Sequence, residues 1–201
     1  MRKWGWQLIV VGAVIGILLL LPRRTTKSAP FLQGLCQKGW YQYAALLEEA
    51  RRGKDSIFRT AAHSPIPEAE RGYFSGLKYF PIDSTWRLRG RYEPTPNALA
   101  PVIGKVLLNL PGLPSCQAPH SMVVYDGKGE LPYIAFWDST AMEGLTYEGG
   151  RYVPIVVEGD SACVDFNRAY FPYCAYNPNY ICLPYPPENR LCISVYAGER
   201  R

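Results

Sequence analysis

Apolar and basic residues alternate between Trp86 and Tyr92, which is the pattern of a half-buried β-strand. Trp86, Leu88 and Tyr92 fall on one side of the extended chain, and arginines fall on the other. Further short apolar runs follow, at residues 102–108, 122–125, 133–137, 152–157, 163–166 and 191–196. Turn sequences such as Asp126-Gly127 and 158–160 separate them, and the 158–160 turn predicts a hairpin between the runs on either side. The chain is therefore predicted to be mostly β, an antiparallel β-barrel or sandwich.

One short amphipathic helix is predicted before the strands, over residues 40–52. Trp40, Tyr43 and Leu47 recur at helical spacing, so they share one face. The basic residues before Gly53, and the glycine itself, are typical of a helix end. No long helices alternate with the strand-like runs, which argues against a parallel α/β fold.

The first residues predict a single membrane-spanning helix. Residues 4–22 contain no charge, and at 1.5 Å per residue they would extend roughly 28 Å, close to the thickness of a bilayer core. The nearest candidate site for signal peptidase, after Ala29, has a lysine at −3 and a proline at +1, both unfavourable, so we expect an uncleaved anchor. The predicted organisation is an anchor with basic flanks at 1–27, a juxtamembrane linker at 28–39 and one domain at 40–201.

The charge distribution argues against nucleic acid as a partner. The net charge is +5, and five of the 22 Lys and Arg residues lie within the first 27 residues, where none of the 17 Asp and Glu residues lies. The rest of the chain is therefore neutral overall. A nucleic-acid-binding domain would carry a basic excess in its folded part.

Six cysteines bear on the compartment in which the chain folds. None forms a C-x-x-C pair and only two histidines are present, so we predict no metal site and no cofactor. An even number of cysteines behind an export-like segment favours disulfides and an extracytoplasmic domain, although the basic residues around the segment weakly favour the opposite orientation. Cys174 and Cys182 flank a Pro- and Tyr-rich turn and are the best candidate pair. Cys163 and Cys192 lie in strand-like runs, where buried thiols are expected.

The C-terminal half contains several ordered motifs. They are Asp138-Ser139-Thr140, the 146–152 stretch TYEGGRY, the 165–170 stretch DFNRAY, the 186–191 stretch PPENRL and the 197–199 stretch AGE. Together with an upstream segment from Lys54 to Asp83, they resemble a bacterial and archaeal family called domain of unknown function 1684, over about residues 40–199. The resemblance implies which residues matter but no activity. Residues 94–120 depart from it, because proline-rich loops stand where family members carry a glycine-containing hairpin.

Polar side chains within these motifs are the candidate ligand-binding residues. They are Asp138, Thr140, Tyr147, Arg151, Asp165, Asn167, Arg168, Asn189 and Arg190. Arginine forks suit a carboxylate, phosphate or sulfate group, and tyrosines would add walls with hydroxyl donors. The alternative is a structural network in which paired charges tie long loops to the sheet.

The leading functional hypothesis is a single-pass, membrane-anchored extracytoplasmic binding or accessory protein. It would dock on a larger integral-membrane complex or hold a small anionic ligand. No G-x-S-x-G, H-E-x-x-H, phosphate-loop or dinucleotide motif is present, so an enzyme is not favoured. The alternatives are a hydrolase that uses Asp138, Asp165 and Arg168, and a purely structural module held by disulfides.

Overall fold

The structure, a computed structural model, describes residues 39–95, 101–111 and 119–201. Its centre is a closed antiparallel barrel in which six strands follow the order β2-β3-β4-β5-β6-β7, and β7 pairs with β2. The strands are β2 (Arg87–Pro94), β3 (Val102–Leu108), β4 (His120–Tyr125), β5 (Tyr133–Phe136), β6 (Arg151–Glu158) and β7 (Ser161–Asp165). Two shorter strands, β1 (Lys78–Tyr79) and β8 (Glu199–Arg200), pair with each other. The prediction of a mostly β chain is confirmed, and of the two architectures the barrel is the observed one.

The barrel interior is filled by the apolar side chains that the alternating pattern places on one face. Members of this core include Val106, Met122, Ile134, Val153 and Val164, all fully buried. The predicted hairpin between β6 and β7 is confirmed, since Glu158 pairs with Ser161 across a two-residue turn.

Helix α1 (Trp40–Thr60) is longer than predicted, because it continues past Gly53. The extra turns are stabilised by tertiary contacts, which outweigh the low helix propensity of glycine. Phe58 is buried against the rings of Phe74, Tyr173 and Tyr176. The predicted inner face is confirmed at its N-terminal end, where Tyr43 and Leu47 are buried.

Residues 191–196 were expected to form a strand and do not. Leu191 and Val195 are buried in the barrel core, so the alternating pattern identified burial correctly. At Val195, the backbone amide and carbonyl that a strand would use for pairing are instead bonded to side chains. The Val195 amide donates to Asp138 and the Val195 carbonyl accepts from Arg151.

The disulfide between Cys174 and Cys182 is confirmed. The expectation of buried thiols at Cys163 and Cys192 is wrong, because both are disulfide-bonded. Cys163 belongs to β7, but unlike its neighbours Ala162 and Val164 it lies outside the barrel core. Cys192 is exposed. Both are therefore placed where another cysteine can reach them.

Within residues 39–95, 101–111 and 119–201, no helix combines the length and the apolar character that a membrane crossing requires. The predicted anchor at 4–22 and nearly all of the predicted linker lie outside the described residues, as do most of the proline-rich loops near 94–101 and 111–119.

Candidate functional site

Asp138 and Arg151 form a buried ion pair at one end of the barrel. Asp138 follows β5 and is 2% exposed, and its Oδ1 accepts from Arg151 Nη2 at 2.8 Å. Its Oδ2 accepts from the Thr140 hydroxyl at 2.7 Å and from the Val195 amide at 2.8 Å. Thr140 in turn contacts Thr146 at 2.9 Å between hydroxyl oxygens. Both carboxylate oxygens are thus already occupied by groups of this chain.

Arg151 fastens the C-terminal segment to the barrel. Its guanidinium donates to the carbonyls of Ala197 at 2.5 Å and Val195 at 2.9 Å, and more weakly to that of Glu199 at 3.3 Å. Burial lowers the pKa of Arg151, while the neighbouring Asp138 charge opposes that shift. The preceding Gly150 has φ +88°, and a Cβ there would lie 2.4 Å from the Phe136 carbonyl, so only glycine allows this approach.

A second network joins α1 to the end of β7. Asp165 is 2% exposed and accepts from the Tyr43 hydroxyl at 2.5 Å, and burial raises the pKa of Tyr43. Asp165 Oδ1 caps the short helical turn Phe166–Arg168 by accepting from the Asn167 amide. The Asn167 side chain bonds the backbone of Asp83 in both directions, at 2.7 and 2.8 Å.

The side chain of Asn189 provides hydrogen bonds where β4 and β5 do not pair with each other. β4 and β5 pair only at Tyr125 and Tyr133, which leaves backbone groups nearby without a partner strand. The fully buried Asn189 side chain accepts from the Val123 amide at 2.7 Å and donates to the carbonyls of Val123 and Ala135 at 3.0 and 2.7 Å. Its function is thus to hold the barrel closed between these strands.

The remaining candidates lie apart from these networks. Arg190 is exposed and stacks on Trp137, with its guanidinium carbon 4.3 Å from the ring centroid. Tyr147 is half-buried beside Phe171. The candidate residues therefore do not converge on one pocket, and Asp138 and Asp165 belong to separate closed networks.

A groove of about 1150 Å³ opens between α1, the 126–131 turn and the 170–183 segment. Two of the predicted site residues, Asn167 and Arg168, are among its lining residues. Tyr152 and Tyr170, which the sequence predicted as walls of a pocket, also line it, and most of the others come from segments to which the motifs gave no functional weight. The charged and aromatic ones are Arg51, Lys54, Tyr79, Asp126, Lys128, Glu130, Tyr133, Tyr152, Tyr170, Tyr173 and Tyr180.

Three cations line one part of this groove. Arg168 is half-buried, and its guanidinium has no hydrogen-bond acceptor within the described ranges. Burial lowers the pKa of Arg168, with the Asp165 charge opposing. Lys54 pairs with the buried carboxylate of Glu199 at 2.9 Å. Arg51 lies over the Tyr79 ring at 4.2 Å from its centroid.

Two buried polar atoms of this cationic part lack partners among the described residues. They are Arg51 Nε and the Tyr79 hydroxyl oxygen. A buried donor without an acceptor is costly, and native structures usually supply its partner from water or a ligand. Burial raises the pKa of Tyr79, so its hydroxyl remains a donor at neutral pH. Both atoms are closed off from the groove itself, so these side chains would have to shift before either atom could reach a ligand there.

A row of tyrosines crosses the outer face of β4, β5 and β6. Successive ring centroids lie 5.6 Å apart from Tyr125 to Tyr133, 5.2 Å from Tyr133 to Tyr152 and 5.9 Å from Tyr152 to Tyr170. The Tyr152 hydroxyl donates to the Leu183 carbonyl at 2.6 Å, and burial raises its pKa to about 12. The last three tyrosines of the row line the groove.

Another part of the groove rim carries two carboxylates together with the ammonium of Lys128. Asp126 and Glu130 are exposed on the turn between β4 and β5, where Asp126 Oδ1 accepts from the Lys128 amide at 2.9 Å. In the described part of the chain, neither carboxylate forms an ion pair with a cation of the groove. No group of three His, Cys, Asp or Glu side chains that could hold a metal ion occurs among the described residues.

Sequence reasoning missed most of the groove because its residues come from distant segments. Arg51 was interpreted as part of a cationic helix end. Tyr133 begins a predicted strand and carried no functional signal of its own, whereas Tyr152 and Tyr170 were predicted as walls of a pocket. The usable signal for Tyr133 was its alternation with Ala135 and Trp137, which places tyrosine on the outer face of a strand whose other face is buried.

Comparisons with known proteins agree with the motif resemblance. The chain is similar to an uncharacterised protein of Haloarcula marismortui solved by solution NMR, at 27% identity and a TM-score of 0.62, over 80% of this chain and 95% of that one. No curated protein matches. The model of a family described as "protein of unknown function (DUF1684)" matches residues 72–200. The chain therefore belongs to the DUF1684 family.

Proposed function

We propose that this protein is an extracytoplasmic binding protein whose groove holds a small anionic ligand. The observation that carries the proposal is Arg168, a half-buried guanidinium that lines the groove without an acceptor in the described part of the chain. A guanidinium presents a fixed fork of donors that matches a carboxylate or phosphate. Partial burial strengthens such a contact, because the local dielectric is lower than in water.

The surroundings of Arg168 support anion binding. Of the cations at Arg51, Lys54 and Arg168, only Lys54 has an ion-pair partner within the described ranges. The guanidinium of Arg51 is held beside this segment by hydrogen bonds to the carbonyls of Phe80 and Asn167, at 3.4 and 3.2 Å. A wall with two positive charges that have no ion-pair partner in the described part of the chain favours an anion over a neutral ligand.

The location outside the cytoplasm rests on the cysteines and on the N-terminal segment. All four cysteines in the described part of the chain are in disulfides, which persist in oxidising compartments. Residues 4–22 carry no charge and have the length of a membrane span. The protein would thus be a single-pass membrane protein with its barrel on the extracytoplasmic side.

A hydrolase using Asp138, Asp165 and Arg168 is less well supported. Asp138 and Asp165 are each 2% exposed and bonded within separate networks, and neither lines the groove. A general acid or base must come within hydrogen-bond reach of the substrate. Only Arg168 of the three meets that requirement, and a guanidinium is a poor proton carrier.

Binding can be tested by isothermal titration calorimetry of the full-length protein in detergent, with propyl phosphate as the probe. We expect Arg168→Gln to weaken binding by about tenfold or more, because a charge-assisted hydrogen bond is lost. Arg190→Gln is the matched control, since Arg190 also follows an asparagine but lies outside the groove. Equal affinities for the wild type and Arg168→Gln would contradict the proposal.

We also propose that the anchored protein works beside an integral-membrane partner, to which it would present the ligand. The predicted anchor supports this, because it would hold the barrel at the membrane surface. Sizing the protein after gentle solubilisation of native membranes tests the association. Migration as a single 22.6 kDa chain would count against a partner.

A further inference from the structure

The groove carries charges of both signs that do not neutralise each other. Arg168, Arg51 and Lys54 line one part, and the 126–131 turn, which carries two carboxylates and the ammonium of Lys128, lines another. No ion pair within 4.0 Å joins the two sets in the described part of the chain. A ligand with a single negative charge would use the first set and leave the acids with no function in binding.

Tyr170 lies close to both sets of charges. The Lys54 ammonium is 5.0 Å from the centroid of the Tyr170 ring. Burial raises the pKa of Tyr170, and the next largest contribution is the negative charge of Glu130. Burial raises the pKa of Tyr173 as well, and the negative charge of Glu130 raises it further. Charges of both signs therefore act on Tyr170, which lines the groove.

Aromatic rings beside a carboxylate are a suitable environment for an ammonium group. Tyr170, Tyr173 and Tyr180 line the groove, with the Tyr173 and Tyr180 ring centroids 5.3 Å apart. A ring face attracts a cation, and a nearby carboxylate adds a charge-assisted hydrogen bond. Two guanidiniums without an ion-pair partner in the described ranges match the charge of a phosphate better than that of one carboxylate.

We infer that the groove takes a zwitterion that carries a phosphate group and an ammonium group. The phosphate contacts Arg168 and Arg51, and the ammonium lies between the tyrosines and the carboxylates of Asp126 and Glu130. This inference rests on the proposed function, since it specifies the ligand of the same groove. The chemistry is shared by soluble phosphoethanolamine and by the head group of phosphatidylethanolamine.

The test compares two isosteric probes on the full-length protein. Phosphoethanolamine carries an ammonium where propyl phosphate carries a methyl group, so their difference in affinity reports the ammonium contact. We expect phosphoethanolamine to bind about tenfold more tightly, as one charge-assisted contact would give. The variant Asp126→Asn/Glu130→Gln should remove this preference while leaving propyl phosphate bound. Glu158→Gln is the control, since Glu158 is exposed and lies outside the groove.

The outcomes separate this inference from the proposed function. Equal affinities for the two probes, with Arg168→Gln weakening both, would overturn the zwitterion and leave the anion site standing. If neither probe binds at millimolar concentration, or Arg168→Gln changes nothing, both proposals are wrong. Thermal unfolding of each variant checks that its barrel is intact. Because Asp126 and Glu130 are exposed, their replacement should leave the melting temperature unchanged.

The source of the zwitterion is distinguished in nanodiscs. If the ligand is the lipid head group, phosphoethanolamine should bind more weakly in phosphatidylethanolamine discs than in phosphatidylglycerol discs, because the lipid competes for the groove. Equal affinity in the two discs would identify the soluble compound.

Discussion

Replacing Arg151 with methionine is expected to destabilise the barrel more than any other single arginine substitution in the described part of the chain. The side chain is fully buried and makes four hydrogen bonds, one to Asp138 and three to backbone carbonyls of the C-terminal segment. Methionine fills a similar space but donates nothing. The change would leave a buried carboxylate unpaired and three carbonyls short of a donor.

The size of the effect follows from these contacts. Removing one partner of a buried ion pair typically costs about 3–5 kcal/mol, because the remaining charge stays buried without compensation. Small domains have only about 5–15 kcal/mol of unfolding free energy in total. We therefore expect Arg151→Met to remove a large share of the stability, and the C-terminal segment from Val195 to Glu199 to loosen first.

Urea denaturation followed by tryptophan fluorescence, with the disulfides intact, measures the change. The matched control is Arg190→Met, which removes an exposed arginine stacked on Trp137 and should cost no more than about 1 kcal/mol. The double variant Asp138→Asn/Arg151→Met should lose less unfolding free energy than the two single variants lose together, because no unpaired buried charge remains. An unfolding free energy of Arg151→Met within about 1 kcal/mol of the wild-type value would refute this prediction.

Further predictions concern the barrel, the buried carboxylate and the loop disulfide. Asn189→Ala should lower the unfolding free energy by about 2–3 kcal/mol, because β4 and β5 lose the side-chain amide that bridges them. Hydrogen exchange should become faster at the Val123 amide, and unchanged protection there would contradict this prediction. Burial raises the pKa of Glu199 above its unfolded value, so its contribution to stability is full in acid and falls as pH rises through the raised pKa. The unfolding free energy of the wild type relative to Glu199→Gln should thus decrease from pH 4 toward neutral pH in urea titrations, and an increase would be the wrong sign. Replacing Cys174 and Cys182 with serine should lower the unfolding free energy by about 2–3 kcal/mol in the same titrations, as expected for a disulfide that closes a short loop. An unchanged unfolding free energy would contradict this and show that other contacts hold the loop.

The barrel could be predicted from the sequence because each strand has one buried face. Alternation marks such a strand directly, and the turn at 158–160 identifies a hairpin. The same alternation misled at residues 191–196, because it reports burial and not which group bonds the backbone. Val195 is buried like a strand residue, yet its amide and carbonyl are bonded by Asp138 and Arg151.

The candidate site was only partly predictable for a related reason. A motif with Asp, Asn and Arg beside apolar strands predicts buried polar groups, and both a closed network and a pocket satisfy that pattern. Asp138, Arg151 and Asn189 form the closed networks, whereas Arg168 lines the groove. The difference depends on the short turn after Asp165, whose direction no local pattern specifies.

The most direct test of anion binding in the groove is an NMR titration of the arginine Nε–Hε signals with propyl phosphate. Arg168 lines the groove without an acceptor in the described ranges, so its signal should shift in a saturable way as the phosphate binds. Arg151 is bonded within the barrel and should not move. A titration in which the Arg168 signal stays fixed at millimolar phosphate, or in which Arg151 shifts instead, would contradict the account.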